Sequence, residues 1–199
     1  MGADRPYSES CAQNREPILA VLRRFLGDSR QLLEIGSGTG QHAVYFAPAF
    51  PELQWQTSDR VANHAGIAAW LDVHPEPNLL PPLPLDVSTD RWPDGEYDAV
   101  FSANTAHIMH EAEVAAMFAG VGRVLSSGGR FLLYGPFNIG GRYTAPSNER
   151  FDQWLRSQDP DMGVRDLDWL SELAAGAGLR LHEVVDMPAD NKTLVWLAE

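Results

Sequence analysis

Apolar residues first recur at helical spacing at Ile18, Val21, Leu22, Phe25 and Leu26. This predicts a helix with Asn14 as its cap, Pro17 in its first turn and Gly27 as its stop. The short apolar run Leu32 to Ile35 reads as a strand and leads straight into Gly36-Ser37-Gly38-Thr39-Gly40. Helical spacing returns from about Gln41 to Ala47. Alternation from Leu53 to Ser58 predicts a second strand closing on Asp59, followed by a helix from about Ala62 to Val73. Leu79 to Val87 carries Pro81, Pro82 and Pro84, which limit it to a short edge strand. Tyr97 to Ser102 is a strongly apolar strand. A helix over about Glu113 to Leu125 is expected to end at Ser126-Ser127-Gly128-Gly129. The next strand is Arg130 to Tyr134, broken by Gly135-Pro136. From 137 to 163 the pattern turns irregular and polar, with one helical piece at about Ser147 to Arg156. A helix over Asp166 to Ala177 stops at Gly178. Two strands, about Arg180 to Asp186 and Thr193 to Ala198, close the chain. Their short linker predicts antiparallel pairing.

Strands that alternate with helices predict the α/β class: a doubly wound, mostly parallel sheet with helices on both faces and an antiparallel last strand. One domain is expected over residues 1–199, with an N-terminal helical segment at 1–27 and an insertion or lid at 137–163. In that insertion Tyr143, Asn148, Phe151 and Trp154 either line a site or pack. In such sheets ligands gather outside the carboxyl ends of the strands. The glycine loop, Asp59, Asp86 and Asn104 all fall at such ends, so one pocket is expected to collect all four.

Three glycines at alternate positions let the backbone turn sharply and lie against a ligand. The spacing is G-x-G-x-G. The dinucleotide fingerprint G-x-G-x-x-G would need a glycine where Gln41 stands, which moves the expectation from nicotinamide cofactors toward S-adenosylmethionine. Glu34, inside an apolar strand, must be hydrogen-bonded to be tolerated. It either holds the glycine loop or accepts from a ligand ammonium. Asp59, about 20 residues past the loop, is placed to bind a ribose diol or to cap the segment that begins at Val61. Arg60 either flanks an adenine or is solvated. Asp86 either accepts from an adenine amine, with the Val87 N–H facing a ring nitrogen, or serves a turn. Asn104 can both donate and accept, and so could meet the cofactor's amino-acid end.

His107 and His110 are three residues apart, which leaves three readings: a metal pair, a general base beside the methyl acceptor, or structural histidines at a helix start. H-x-x-H-E is not the H-E-x-x-H zinc pattern and no cysteine is near, so no metal site is expected. Phe137 and Asn138 either line a substrate pocket or pack and turn.

Composition narrows the partners. Twenty-seven acidic against fifteen basic residues give a net charge of −12, and a nucleic-acid partner would select a basic face. No apolar run is long enough for a bilayer, and the stretch from Met1 to Glu16 lacks the apolar core of a signal peptide. The single cysteine, Cys11, excludes an intrachain disulfide, and a cytoplasmic location is expected. Lys192 is the one lysine and follows no glycine loop, so a phosphate loop is absent.

The order L-E-I-G-S-G-T-G, the acid at Asp59, L-D-V, Y-D-A-V-F-S-A-N and G-G-R-F-L-L-Y-G-P-F resembles the class I S-adenosylmethionine-dependent methyltransferases. The stretches S-C-A-Q-N-R-E-P-I-L and N-T-A-H-I-M-H are similar to the methyltransferase-like protein 26 family. The resemblance implies a seven-stranded Rossmann-like sheet with a reversed last strand. It also implies cofactor contacts at Gly36, Ser37, Gly38, Asp59, Asp86, Val87 and Asn104. Gly40, Glu34 and Arg60 join them from the residue reading. Asn14 and Arg15 match the closer family's pattern and are expected to close over the pocket.

The sequence S-A-N-T-A-H, in place of N-P-P-Y, argues against the exocyclic-amine and glutamine-amide enzymes. The absence of a cysteine after that strand excludes the covalent cytosine mechanism. The expected activity is methyl transfer from S-adenosylmethionine to a small molecule, with S-adenosylhomocysteine as product and His107 or His110 as any base. The alternatives are a non-catalytic cofactor-binding module and a nicotinamide-dependent oxidoreductase. The methyl acceptor and the oligomeric state are left open.

Overall fold

The computed structural model describes residues 5–199. The expected helical segment 1–27 is thus seen from residue 5 onward, and residues 1–4 lie outside the described part. The strands are β1 (Gln31–Ile35), β2 (Gln54–Asp59), β3 (Leu79–Pro84), β4 (Tyr97–Ala103), β5 (Leu125–Gly135), β6 (Phe137–Asn138), β7 (Arg165–Asp166), β8 (Leu179–Asp186) and β9 (Lys192–Ala198). The helices are α1 (Glu9–Phe25), α2 (Gln41–Phe46), α3 (His64–Leu71), α4 (Glu111–Val124), α5 (Pro146–Gln158) and α6 (Leu167–Gly176).

Seven strands form one sheet in the order β3-β2-β1-β4-β5-β9-β8, and β6 and β7 make a separate parallel pair. β9, the last strand of the chain, is antiparallel to both neighbours; the other six share one direction. This is the doubly wound α/β fold with a reversed last strand. The reversal follows from chain length. Residues 187–191 are too few to cross the sheet, so β9 folds back beside β8 and fills the space between β8 and β5.

Period-two alternation in the central strands builds a core on each face. On one face Leu33, Ile35, Val100, Leu133 and Trp196 meet α4 and α6. On the other, Leu32, Phe101, Leu132 and Val195 meet α1 and α2. β3 is an edge strand, as its three prolines require. Its carbonyls still accept: Thr57 donates to Leu80 O at 2.8 Å and Gln56 to Pro81 O. Among the described residues no helix is long and apolar enough to cross a membrane.

Several boundaries differ from expectation. α1 begins at Glu9, capped by Ser8, whose hydroxyl accepts from the Cys11 N–H; Asn14 and Pro17 both lie inside the helix. α2 and α3 are shorter than their apolar patterns, because 3-10 turns at Ala47–Ala49 and Val61–Asn63 take residues from each. α4 starts two residues early, where His110 and Glu113 cap it reciprocally. It then passes into β5 without the expected loop. Ser126 to Gly129 are absorbed as an irregularity between the pairs Tyr97–Leu125 and Ala99–Arg130.

Candidate active site

At the end of β1 the chain turns left-handed at Gly36 (φ 70°), Gly38 (φ 60°) and Gly40 (φ 87°). The three glycines have different reasons. A Cβ at Gly36 would lie 2.6 Å from Thr105 Cγ2, whereas at Gly38 it would meet only Gly36 O, in ordinary contact at 4.0 Å. At Gly40 it would press on the Ile67 backbone at 3.2 Å. Gly40 therefore lets α2 pack on α3 and does not line the cavity.

The loop is pinned from below. Ser37 Oγ donates to Glu34 Oε2 at 2.8 Å, and Trp55 Nε1 donates to the same oxygen at 3.0 Å. Ser58 N–H donates to Ser37 Oγ, and Ser37 N–H donates to Ser58 O. Burial disfavours the Glu34 carboxylate and pushes its pKa up to about 7. Of its two expected roles, the structure shows the loop-holding one, because Glu34 does not reach the cavity wall. Asp59, buried at the end of β2, accepts the Gly38 N–H at 2.7 Å on one oxygen. Its other oxygen accepts the Arg60 N–H and the Asn63 amide.

A cavity of about 680 Å³ opens over the carboxyl ends of the strands, within the range of small-molecule sites. Gly36, Ser37, Gly38 and Asp59 line one part of it. Arg60, Val87, Asn104, Asn14 and His107 also contribute. Asn104 itself is left-handed (φ 59°), and its N–H is held by Tyr134 O at 2.9 Å.

Three further expected residues are elsewhere. Asp86 is absent from the lining: its carboxylate accepts from Ser88 N–H and Oγ and pairs with Arg60 Nε at 3.1 Å. The cavity thus collects three of the four expected strand-end features. Arg15 is exposed and lies over the Tyr45 ring, 4.5 Å from its centroid, instead of over the cavity. His110 is exposed as well. It pairs with Asp159 Oδ2 at 3.0 Å, a hydrogen bond that raises its pKa, and it does not line the cavity.

The two histidines therefore part company. His107 is buried in the cavity wall, its ring edge-on to Phe151 with centroids 5.2 Å apart. Among the described residues no protein group hydrogen-bonds its ring. Burial, helped by the Arg165 charge, lowers its pKa to about 4, so it is neutral at pH 7. On the surface His110, Asp159 and Asp161 bring donor atoms within 4.8 Å of one another, an arrangement that the His110–Asp159 pair accounts for.

The segment carrying His107 is fixed by a residue that the sequence did not single out. Arg165, on β7, is buried and donates to the carbonyls of Ala106, Met109 and Asp161. Gly163 N–H also donates to His107 O at 3.0 Å. Among the lining residues, Cys11, His42, Tyr134 and Asn191 were likewise unmarked. His42, two residues past the loop, had a positional signal. The others had none, since they reach the cavity from α1, β5 and the β8–β9 connection.

Pro136 lines the cavity in place of Phe137 and Asn138. Phe137 enters the core, and Asn138 donates to Val164 O. In the 137–163 segment Asn148 and Phe151 reach the cavity. Tyr143 instead donates to Asp152, and Trp154 is exposed. The wall near Asn148 is tied down: Ser147 Oγ donates to Asp190 Oδ2 at 2.6 Å, and the Asn148 amide donates to Asp190 O at 3.1 Å.

A family model described as "Protein of unknown function (DUF938)" matches residues 5–198. Among solved structures, the chain is similar to an O-methyltransferase family protein from Burkholderia thailandensis, with 14% identity, a TM-score of 0.81, and coverage of 92% of this chain and 56% of that one. Human N-acetylserotonin methyltransferase, solved in complex with SAM, matches at 16% identity and a TM-score of 0.81, over 96% and 53% of the two chains. Mitomycin 7-O-methyltransferase matches at 16% identity and a TM-score of 0.82, over 96% and 54%. The chain spans about half the length of these structures. At such identities the likeness is one of fold.

Proposed function

Because the chain belongs to the DUF938 family and carries a methyltransferase fold with a glycine-loop pocket, we propose that it is an S-adenosylmethionine-dependent methyltransferase acting on a small-molecule acceptor. The observation that carries this reading is the cradle itself. Gly36 leaves room where a Cβ would collide, and the Asp59 carboxylate sits at the next strand end, as a ribose diol requires. No phosphate-binding lysine or arginine stands at the loop, which suits a cofactor without phosphate. The Val87 backbone and Asn104 fit the adenine and amino-acid ends. Asn14 covers the pocket from α1.

When bound, this cofactor supplies an electrophilic methyl group on a sulfonium. The protein's part is to hold the acceptor atom in line, roughly 3 Å from that carbon, and to exclude water. Its wall does little for charge, which suits a step in which the positive charge disappears. His107, neutral and without a protein partner, accepts the hydrogen bond of an acceptor hydroxyl and takes its proton as the new bond forms. Burial disfavours the resulting imidazolium, so His107 acts only while the oxygen beside it is losing that proton. The whole described chain serves this one pocket: α1 covers it, and the 137–163 segment contributes a side wall instead of a separate unit.

Calorimetric titration with S-adenosylhomocysteine tests the reading. Saturable binding at micromolar protein is expected, along with competition by S-adenosylmethionine and none by NADH. Absence of heat with either cofactor form overturns it.

A further inference from the structure

The N-terminal turns of α1 are held by residues that do not line the cavity. Gln41, buried at the start of α2, grips Ser8 at two points. Its Oε1 accepts the Ser8 N–H at 2.5 Å, and its Nε2–H donates to Ser8 O at 3.3 Å. The same Oε1 accepts the Thr39 hydroxyl at 3.0 Å, so the glycine loop fixes which way the amide points. Earlier in the chain, Trp70 of α3 donates from Nε1 to Pro6 O at 2.7 Å, and the Arg5 guanidinium lies 4.8 Å from the Trp70 ring centroid. Gly66 makes this seat possible, because a Cβ there would lie 2.7 Å from Pro6 Cγ. Further along α1, His42 Nε2–H donates to Asn14 Oδ1 at 2.8 Å. On the surface Tyr45 donates to Glu16 and carries Arg15 over its ring, contacts that solvent weakens.

The helix so held has two unlike halves. Pro17 stands midway in its 17 residues and has no N–H to give to the Gln13 carbonyl. Every buried residue of α1 follows it: Ile18, Leu19, Val21, Leu22 and Phe25, all in the core. Before it no side chain is buried, yet Ser8, Ser10, Cys11, Gln13 and Asn14 line the cavity. The first half is therefore a roof without a core of its own, kept shut by the hydrogen bonds above. A helix that lacks a backbone bond bends most easily at that point, which makes Pro17 the hinge.

We propose that Gln41, assisted by Trp70, is the latch of a gate over the cofactor pocket: residues 5–16 swing about Pro17, and the cofactor enters and leaves only while the Gln41–Ser8 pair is open. That the gated ligand is S-adenosylmethionine rests on the methyltransferase reading; the latch and the hinge rest on the contacts of α1 alone. Gln41 and Trp70 do not line the cavity, so they act through the roof and not on the ligand. Gln41 stands where a dinucleotide fingerprint would carry glycine, and a glycine there would leave Ser8 unheld.

Gln41→Met keeps the bulk and removes both bonds to Ser8. Gly66→Ala favours α3 as a helix and so folds, while its Cβ drives Pro6 off the Trp70 indole. Once lifted, the half-helix is too short to persist alone, so amide exchange of residues 12–16 reports the opening. In the ligand-free full chain that exchange is expected to quicken about tenfold in Gln41→Met and about threefold in Gly66→Ala, with residues 18–25 unchanged. Association and dissociation of S-adenosylhomocysteine are measured by surface plasmon resonance on the immobilised full chain. Both rates should quicken by the same factors, leaving affinity within about threefold. A latch that opens free and bound forms alike moves both rates, whereas a merely damaged site moves dissociation alone. Exchange at 12–16 unchanged in both variants overturns the latch, and association no faster in either variant overturns the gate. If the unaltered chain fails to bind S-adenosylhomocysteine, the cofactor reading falls, while the exchange experiment still decides the latch.

Discussion

The two halves of the cavity are built by opposite means. The cradle is local: Glu34, Gly36, Ser37 and Gly38 lie within five consecutive residues and meet one neighbouring strand end at Asp59. It is held by a buried carboxyl group that keeps its proton to higher pH than an exposed one would. The rest of the lining is convergent. His42, Tyr134, His107, Asn148 and Asn191 come from α2, β5, the β4–α4 connection, α5 and the β8–β9 connection. It is held by neutral amides, imidazoles and one buried guanidinium. A local site can be changed residue by residue, whereas a convergent one depends on supports far from the ligand.

The largest effect is expected at Gly36. Gly36→Val places a side chain on Thr105 and forces a left-handed φ on a β-branched residue. S-adenosylhomocysteine affinity should fall at least about a hundredfold. Gly38→Ala meets no clash and carries only the φ penalty, on the order of 1–2 kcal/mol, so it should lose roughly tenfold. Equal losses at the two glycines would show that the cradle depends on backbone conformation alone.

Arg165→Met tests the support of the convergent part of the lining. Removing the guanidinium strands three carbonyls, and a cost on the order of 3 kcal/mol is expected. That would lower the melting temperature by roughly 6–12 °C, while cofactor affinity stays within about threefold. Loss of cofactor binding in a folded variant would break the separation between the two walls.

The two halves should also respond to pH in opposite directions. Folded Glu34 titrates at about 7, above its ordinary 4.5. The folded protein keeps a proton that the unfolded chain releases, so the stability tied to this group is full below about pH 4.5 and is lost as pH rises through 7. His42 and His107 are depressed to about 4 from 6.5. Their stability is present above pH 6.5 and is lost as pH falls through 4. Each group is worth at most on the order of 3 kcal/mol. Between about pH 4.5 and 6.5 the two histidines gain stability while Glu34 loses it, so melting curves should rise with pH over that window, and Glu34→Gln should steepen the rise. A rise no steeper in that variant would mean that Glu34 is ionised throughout.

The smallest effect is expected at His110. It is exposed, and its ion pair with Asp159 is solvent-screened. His110→Ala should leave S-adenosylhomocysteine affinity within twofold, while His107→Ala should abolish turnover once an acceptor is in hand. A large loss of cofactor binding at His110 would move the functional wall outward.

Much of this molecule was set by local chemistry, and there the residue pattern sufficed. Period-two apolar strands, a glycine loop where only a residue without Cβ fits, prolines that confine β3 to an edge and a linker too short for a crossover determined the fold class, the strand reversal and the cradle. Each rests on neighbours in sequence. Tertiary structure alone decided which polar residues face the cavity. Asp86 and Asp59 look alike as strand-end acids, yet Arg60 and Ser88 draw one away while the Gly38 N–H holds the other in place. His107 and His110 are three residues apart, yet Arg165, more than fifty residues downstream, turns the first inward and leaves the second in water. Asn14 and His42 meet only because α1 and α2 pack on the same face of the sheet. Side-chain direction depends on partners brought together by folding, and spacing along the chain carries no record of those partners.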